Sequence, residues 1–592
     1  MNKVFSQPTY QNKQGYQGFP MDHFLNFTSV CGYLLPVVCD ILDPGDKVKI
    51  DNLIRTRTQP FTKPAMATMI ERMEWFAVPI DQLYKPFSSK FYGINDLGSD
   101  FFKTKSSTDY LPYFTKTYLH EKLKTLPTAP PEQMSIPVTL PSFAMAKRLM
   151  DCFGYNKNLG DPTIPDGDAF AGSVSALFPA AYQKIWFDHY RLTDWDANDP
   201  ECYNLDTFYN TEDVGNADPG RFNKLYMLRR RPYQLDYFTS MIPSPLVGKD
   251  STSMIGTDLT RVNQWLTGLT DLMTGSPTNQ STSITNSGTV AANTSNPSSV
   301  GLKQVTPVQS LGSLQSAVKD ISSVVNAPNI RSMFAVEKLL EVTRRAKKHY
   351  DMQTLAHFGV EVPKGLAGEC FKLGTFENYI QIGDVISTAD TAGTDGTSLG
   401  ALAGKGESNN SRSRREPIHF EAKCHCILMG IYSCEPIMNY CNYGTMALHQ
   451  MTNASQFFKM EFDNLGEQPL FLQELNDYNF TPGQGSTGAP LTSVLGWIKR
   501  YQQLKAKYNR SFGGCGTDFF AEWALNRQVI GHSGISKNFF YVWPTDINNI
   551  LQDQYDDLYT YDTMFSDDYF VTNVYLDYVK TSKKSVFGVP NL

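Results

Sequence analysis

The stretches with β-strand periodicity stand far apart in this chain, and that separation limits what it can fold into. Near the start, Val48, Ile50 and Asn52 alternate with Lys47, Lys49 and Asp51, directly after the turn residues Asp43-Pro44-Gly45-Asp46. Met69 to Ile80 reads as a second strand. The clearest one, His419 to Tyr432, comes much later; Asn538 to Trp543 and Phe570 to Val579 follow. In His419 to Tyr432, Phe420, Ala422, Cys424, Cys426 and Leu428 share one face, and His419, Glu421, Lys423 and His425 share the other. Strands at both ends of a chain, with long irregular stretches between, fit a mainly β fold: an antiparallel β-sandwich whose connections have swollen to domain size.

The connections differ in character. Residues 1–25 are rich in Gln, Asn, Gly and Tyr and read as an extended N-terminal arm. Residues 90–245 are dense in Pro, Gly, Tyr and Asp, with short helices expected at Phe143 to Phe153 and Ala181 to Tyr190. So many large rings imply loops ordered by packing rather than loops in water. Residues 250–328 form a low-complexity exposed insertion, with no charge from Leu272 to Leu302. The strongest helical pattern runs from Phe334 to Phe358. Ala335, Leu339, Val342, Ala346 and Tyr350 lie on one face of it, with Lys338, Glu341, Arg345 and Lys348 opposite. Residues 387–416 read as a flexible Gly/Ser-rich loop ending in Arg412, Arg414 and Arg415.

At 592 residues the chain exceeds the roughly 250–300 that one core usually supports, so a core domain with large insertions is expected. A net charge of −6 argues against a protein that lives by duplex DNA binding, so any nucleic-acid contact must be local. Ten cysteines without a paired framework point to reduced thiols and synthesis in the cytoplasm. Met1 to Tyr10 lacks the apolar stretch of a signal peptide, and no apolar run approaches the ~20 residues of a membrane span.

Little in the sequence points to catalysis. No Ser/His/Asp order or HExxH motif occurs. Cys424-His425-Cys426, with Cys434 and Cys441, lacks the spacing of a structural zinc site, and buried free thiols are the expected reading. Gly483 to Gly488 lacks the Lys-Ser/Thr of a phosphate loop, and Gly513-Gly514-Cys515-Gly516 has no strand-loop-helix context, so both read as turns. The run from Asp546 to Asp577 has carboxylates and no Lys or Arg, and reads as a solvated or interface face rather than a cation site. No enzyme activity, metal or cofactor is expected.

Several segments resemble one family. Asp40-Ile41-Leu42-Asp43-Pro44-Gly45-Asp46, followed by Arg55, Thr58 and Pro60, resembles the N-terminal signature of Microviridae major capsid proteins, especially gokushovirus-like ones. Leu228 to Gly248 (LRRRPYQLDYFTSMIPSPLVG), Phe334 to Val360, Leu465-Gly466-Glu467-Gln468-Pro469 with Glu474-Leu475, and Phe587-Gly588-Val589-Pro590 resemble further family motifs, in the family's order. The resemblance implies an eight-stranded viral jelly roll and sixty copies in a T=1 shell around circular single-stranded DNA. It implies internal scaffolding and DNA pilot proteins as partners, a bacterial surface receptor, and a place in the virion after assembly in the host cytoplasm. In the gokushovirus branch an insertion projects at the threefold axes, and residues 250–328 are its candidate here.

With a single-stranded genome as the expected ligand, three basic clusters become candidate contacts: Arg229, Arg230 and Arg231; Arg344, Arg345, Lys347 and Lys348, with His349 beside them; and Arg412, Arg414 and Arg415. Tyr226, Tyr233 and Tyr350 lie near the first two, and single strands are held by cations on phosphates and rings on bases. Subunit–subunit salt bridging is the competing role for the same charges. Two other functions predict different features. A β-sandwich carbohydrate-binding protein or enzyme should show paired carboxylates flanked by Trp, and only seven Trp occur. A phage receptor-binding or fibre protein should show repeats.

Overall fold

The computed structural model describes residues 15–58, 68–92, 111–127, 141–167, 170–208, 219–245, 327–346, 349–386, 402–408, 416–441, 444–463, 466–475, 493–517, 526–527, 537–542, 568 and 570–584. The chain divides into two units. One comprises Met1–Pro243 with Val362–Leu592, and the other is the inserted stretch Ser244–Glu361.

The first unit is built on a ten-stranded sheet. Its strands are β1 (Gln17–Pro20), β2 (His23–Ser29), β3 (Leu35–Leu42), β4 (Lys47–Thr58), β5 (Thr68–Pro79), β6 (Phe371–Ile386), β7 (Leu402–Ser408), β8 (Ile418–Glu421), β9 (Cys426–Pro436) and β10 (Phe570–Ser582). The order is β1-β10-β4-β7-β6-β5-β9-β3, with β2 also pairing β10 and β8 also pairing β4. All these pairings are antiparallel. Ends of the chain meet here: Phe570 pairs with Thr58 and with Ser29, and Gln17 pairs with Ser582.

Burial explains the two kinds of strand pattern. In β4, Val48, Ile50, Asn52, Ile54, Thr56 and Thr58 are buried, while Lys47, Lys49, Arg55 and Arg57 are exposed. A strand wet on one side must alternate in this way. Strand β9 is buried at every position and β5 at every position after Thr68. Both sit inside the sheet with layers above and below, so neither needs alternation. Trp75, Phe76, Leu428, Met429 and Tyr432 fill the core from these two strands, and burying each such side chain contributes about 1.5–3 kcal/mol.

The sheet curls so that its two ends face each other. Thr56 on β4 donates its hydroxyl to Glu71 on β5 at 2.6 Å, and its oxygen lies 3.0 Å from that of Thr572 on β10. Tyr578 on β10 donates to Asp40 on β3 at 2.5 Å, and Lys580 reaches the same carboxylate at 3.0 Å. The result is a mainly β, half-barrel architecture of the sandwich kind.

Helices α1 (Lys116–Thr125), α2 (Phe143–Cys152), α3 (Leu177–Ile185) and α4 (Pro219–Leu225) come from the connection between β5 and β6. The side chains of Thr115 and Ser142 accept from the N–H groups of Tyr118 and Met145, capping the first two. A π-turn at Trp186–Tyr190 extends α3. Tyr182 of α3 is wholly buried and donates to the Leu34 carbonyl at 2.9 Å, tying the connection to the sheet.

Several expectations change. The predicted strand from His419 to Tyr432 is broken at Ala422 to His425 into β8 and β9. The stretch Asn538 to Trp543 holds a 3-10 turn, Lys537–Phe540, in place of a strand. The single helix from Phe334 to Phe358 is two: α5 (Ala327–Arg345) and α6 (Tyr350–Phe358), both in the second unit. There Gln353 donates its amide to the carbonyl of Thr343 at 2.9 Å and to that of Ala346 at 3.3 Å, pinning α6 to the end of α5. On the apolar face of that helix Leu339 and Tyr350 are more than half exposed, while Val342 and Ala346 are half-buried. Of the expected N-terminal arm, Gln17–Pro20 and His23–Ser29 are strands, and the Gly/Ser-rich loop at 387–416 contains β7. Residues 250–326 of the low-complexity insertion lie outside the described residues, as does Gly483 to Gly488.

Candidate functional site

The Arg229-Arg230-Arg231 segment is an extended ribbon laid between the start of β3 and residues 540–542. Arg231 N–H donates to Gly32 O at 2.7 Å, Leu34 N–H donates to Arg229 O at 3.0 Å, and Val542 N–H donates to Arg231 O at 2.7 Å. Gly32 is required at this junction. Its φ is +93°, and a Cβ there would stand 2.6 Å from the Val542 carbonyl oxygen.

An extended ribbon sends successive side chains to opposite sides, so three consecutive arginines do not make one patch. Arg231 points inward, with its side chain 13% exposed. It donates to Glu74 at 2.6 Å and to Ser433 at 2.9 Å, and its Nε lies 3.4 Å from Glu435. Glu74 also accepts from Lys372 at 2.6 Å and from the Tyr190 hydroxyl at 2.5 Å. Glu435 is further bridged to Arg72, which reaches Glu377 at 3.3 Å. Burial alone would raise the Glu74 carboxyl. The charges of Arg231 and Lys372 and the hydrogen bonds from Lys372 and Tyr190 outweigh it and hold the group down at about 2. Burial lowers Arg231, but Glu74, Tyr190 and Glu435 raise it more.

Arg229 is half-buried. Its guanidinium carbon sits 3.9 Å from the Trp186 ring centroid, and its Nε donates to Gln183 at 2.7 Å. Arg230 is half-buried and its backbone forms a bridge with Tyr33. In the second unit, Arg344 is 9% exposed near the end of α5. The Arg345 side chain, Lys347, Lys348, Arg412, Arg414 and Arg415 lie outside the described residues.

The thiols Cys424 and Cys426 lie 3.5 Å apart at the break between β8 and β9. A hydrogen bond between them lowers Cys424 to about 7. Among the described residues no group of three or more His, Cys, Asp or Glu could hold a metal, and no helix is long and apolar enough to cross a membrane.

Pattern reading of the arginines passed over another basic and aromatic surface, formed by the short turns at Ala454–Gln456 and Met460–Phe462 with the hairpin Glu467–Phe471/Val494–Lys499 and the turn after it. Phe458 and Tyr501 meet there at 5.2 Å between ring centroids.

A curled antiparallel sheet carrying domain-sized connections, with Glu74 and Glu435 paired to a cation from one of them, fits a structural protein of the capsid class. Comparison with known proteins identifies it further. The family described as "Capsid protein (F protein)" matches residues 16–571, and the chain belongs to that family. It is similar to the capsid protein VP1 of Chlamydia phage 1, with 22% identity over an alignment covering 97% of this chain and 95% of the relative. The motif resemblance to Microviridae capsid proteins of the gokushovirus type therefore holds: the protein is a phage capsid protein, a virion component that assembles with copies of itself, and not an enzyme.

Proposed function

We propose that this chain is the major subunit of a T=1 icosahedral shell of sixty copies enclosing a circular single-stranded DNA genome. The family match over residues 16–571 carries this reading, together with the curled sheet that suits a jelly roll with large insertions. The sheet forms the wall, and the connections lock neighbouring copies. Many modest contacts repeated by symmetry close the shell and let errors anneal before closure.

The insertion at 250–328 projects at the threefold axes and meets a bacterial surface receptor, where an uncharged tip can vary at little cost to folding. Internal scaffolding and DNA pilot proteins act with it during assembly in the host cytoplasm. DNA is held non-specifically through basic residues, among them Arg229, Arg230, Arg344, Arg345, Lys347, Lys348, Arg412, Arg414 and Arg415, while Arg231 holds the ribbon from inside.

Particles from cells co-expressing the chain with its assembly partners test the reading by electron microscopy and mass. Sixty copies of a 66.6 kDa chain give closed shells with about 4 MDa of protein. Only monomers or open sheets under all conditions would refute it.

A further inference from the structure

Phe457, Phe458 and Phe462 are 57%, 49% and 42% exposed around two short turns, an unusual cost for rings that could be buried. Cations stand over Phe462 and the neighbouring Tyr501. The Lys459 ammonium lies 6.0 Å from the Phe462 ring centroid, and the Arg500 guanidinium lies 6.0 Å from Phe462 and 5.8 Å from Tyr501. Lys505 pairs with Asp463 at 2.5 Å at the margin.

The scaffold under these groups is fixed by Tyr501. Its φ of +57° makes it the one non-glycine residue at positive φ among the described residues. Tyr501 N–H donates to Gln468 Oε1 at 2.8 Å, and its hydroxyl accepts from Lys459 N–H at 3.4 Å. Residues held in this disfavoured region cluster at functional places because the surroundings must enforce them.

Local charge reverses that of the chain. Among the described residues between 457 and 512, exposed or half-buried cations outnumber such carboxylates six to three, against a net charge of −6 overall. Protein–protein contacts are depleted of Lys, and four of these six cations are lysines. A ligand with repeated negative charges and flat π faces meets both features at once.

We infer that this platform binds single-stranded DNA, with bases stacking on Phe458 and Phe462 and phosphates held by Lys459, Arg500 and Lys505. The inference rests on the reading of the protein as the shell of a single-stranded genome. It adds a contact place that the three arginine clusters do not occupy.

Fluorescence anisotropy of a labelled thirty-nucleotide oligo-dT with the full-length chain, across a salt series, provides the test. K459A/R500A should weaken binding about tenfold at 0.1 M salt and flatten the log–log salt slope by about 1.4, since each phosphate contact on a single strand contributes about 0.7. F462A should weaken binding about five- to tenfold and leave the slope unchanged, because stacking is not ionic. R57A, which removes a surface partner of Glu407 on another part of the sheet, should match wild type. Cross-linking wild-type chain to iodouracil-substituted oligonucleotide should give adducts within 457–462 or 499–505, a readout that stands even where a variant misfolds.

Equal affinity and slope in both platform variants, with adducts mapping elsewhere, would overturn the placement and leave the shell reading intact. Normal DNA binding with lost particle formation would also overturn it, marking the platform as a contact between copies. Wild-type chain and particles that bind no oligonucleotide would sink the genome-shell reading and this inference together.

Discussion

Strand β5 carries two buried carboxylates three residues apart, and its two sides handle them in opposite ways. Glu71 faces the interior between the curled ends of the sheet. It accepts from Thr56 at 2.6 Å, from Asn378 at 3.1 Å and from Tyr432 at 3.3 Å, with no cation among these hydrogen-bond partners. Burial pushes its carboxyl up, and the hydroxyl and amide donors only partly oppose this. Glu74 faces the long connection and has Arg231 and Lys372, so it stays ionised down to about pH 2. The first side is closed by strands alone. The second needs a residue delivered from the swollen connection, so that connection is part of the fold of the sheet and not cargo hung from it.

Replacing Arg231 by Met should break the second arrangement most severely. It leaves Glu74 and Glu435 buried beside a missing cation, and such a loss costs about 3–5 kcal/mol. Urea denaturation should show it as a lower midpoint, and particle yield should fall with it. A midpoint within error of wild type would mean the connection and sheet are electrostatically independent.

The next effect is on the acid side. A carboxyl held below its unfolded value near 4.5 gives stability that is present above that value and lost as pH falls toward about 2, here roughly 3 kcal/mol. E74Q should remove that acid limb from a plot of stability against pH. Gly32→Ala should cost about 2 kcal/mol, since it forces a positive φ on alanine and pushes the ribbon carrying Arg231 off Val542. Combined with R231M it should cost less than the sum of the two, as both act on one contact.

Glu71→Gln should have the smallest effect, about 1 kcal/mol, and the opposite pH sign. A raised carboxyl contributes stability that is complete below the unfolded value and lost as pH rises through the folded one. Wild type should therefore weaken relative to E71Q on going from acid to neutral pH. A flat difference between the two would show that Glu71 titrates alike in the folded and unfolded chain, in conflict with its surroundings.

Strands with one wet side were legible in the sequence. β4 and β10 alternate because water meets one face of each, and β5 was read as a strand from Met69 to Ile80 although Glu71, Arg72 and Glu74 lie within it. β1 and β2 were hidden in a Gln- and Asn-rich arm because their hold on β10 is largely backbone pairing, which any side chain can accompany. β7, LAGKGES, reads as loop because it carries glycine, and Gly406 packs under Thr58 and Ile380 where a larger side chain would not fit. The helix from 334 to 358 looked continuous because its apolar spacing runs through Ala346. Arg344, Arg345, Lys347 and Lys348 are like charges at helical neighbour spacings, which disfavours one uninterrupted helix.

Charge is visible in a sequence, but its direction is not. Arg231 looked like surface charge because Glu74 and Glu435, which draw it inward, lie 157 and 204 residues away. The platform around Arg500 carried a faint signal in KRYQQLKAKYNR, where rings and cations interleave. Its exposed phenylalanines come from a separate segment, and only the fold joins the two.

The placement of β10 has a consequence for how the chain is made. The strand lies between β2 and β4, yet it is synthesised more than five hundred residues after them. While the ribosome is still at work, β2 and β4 have a gap where their common neighbour belongs, and such remote pairing is slow to form. Closure of the sheet must therefore wait for Phe570–Ser582. A truncated copy ending before Phe570 should leave β2 and β4 without their common neighbour and be readily cut by protease.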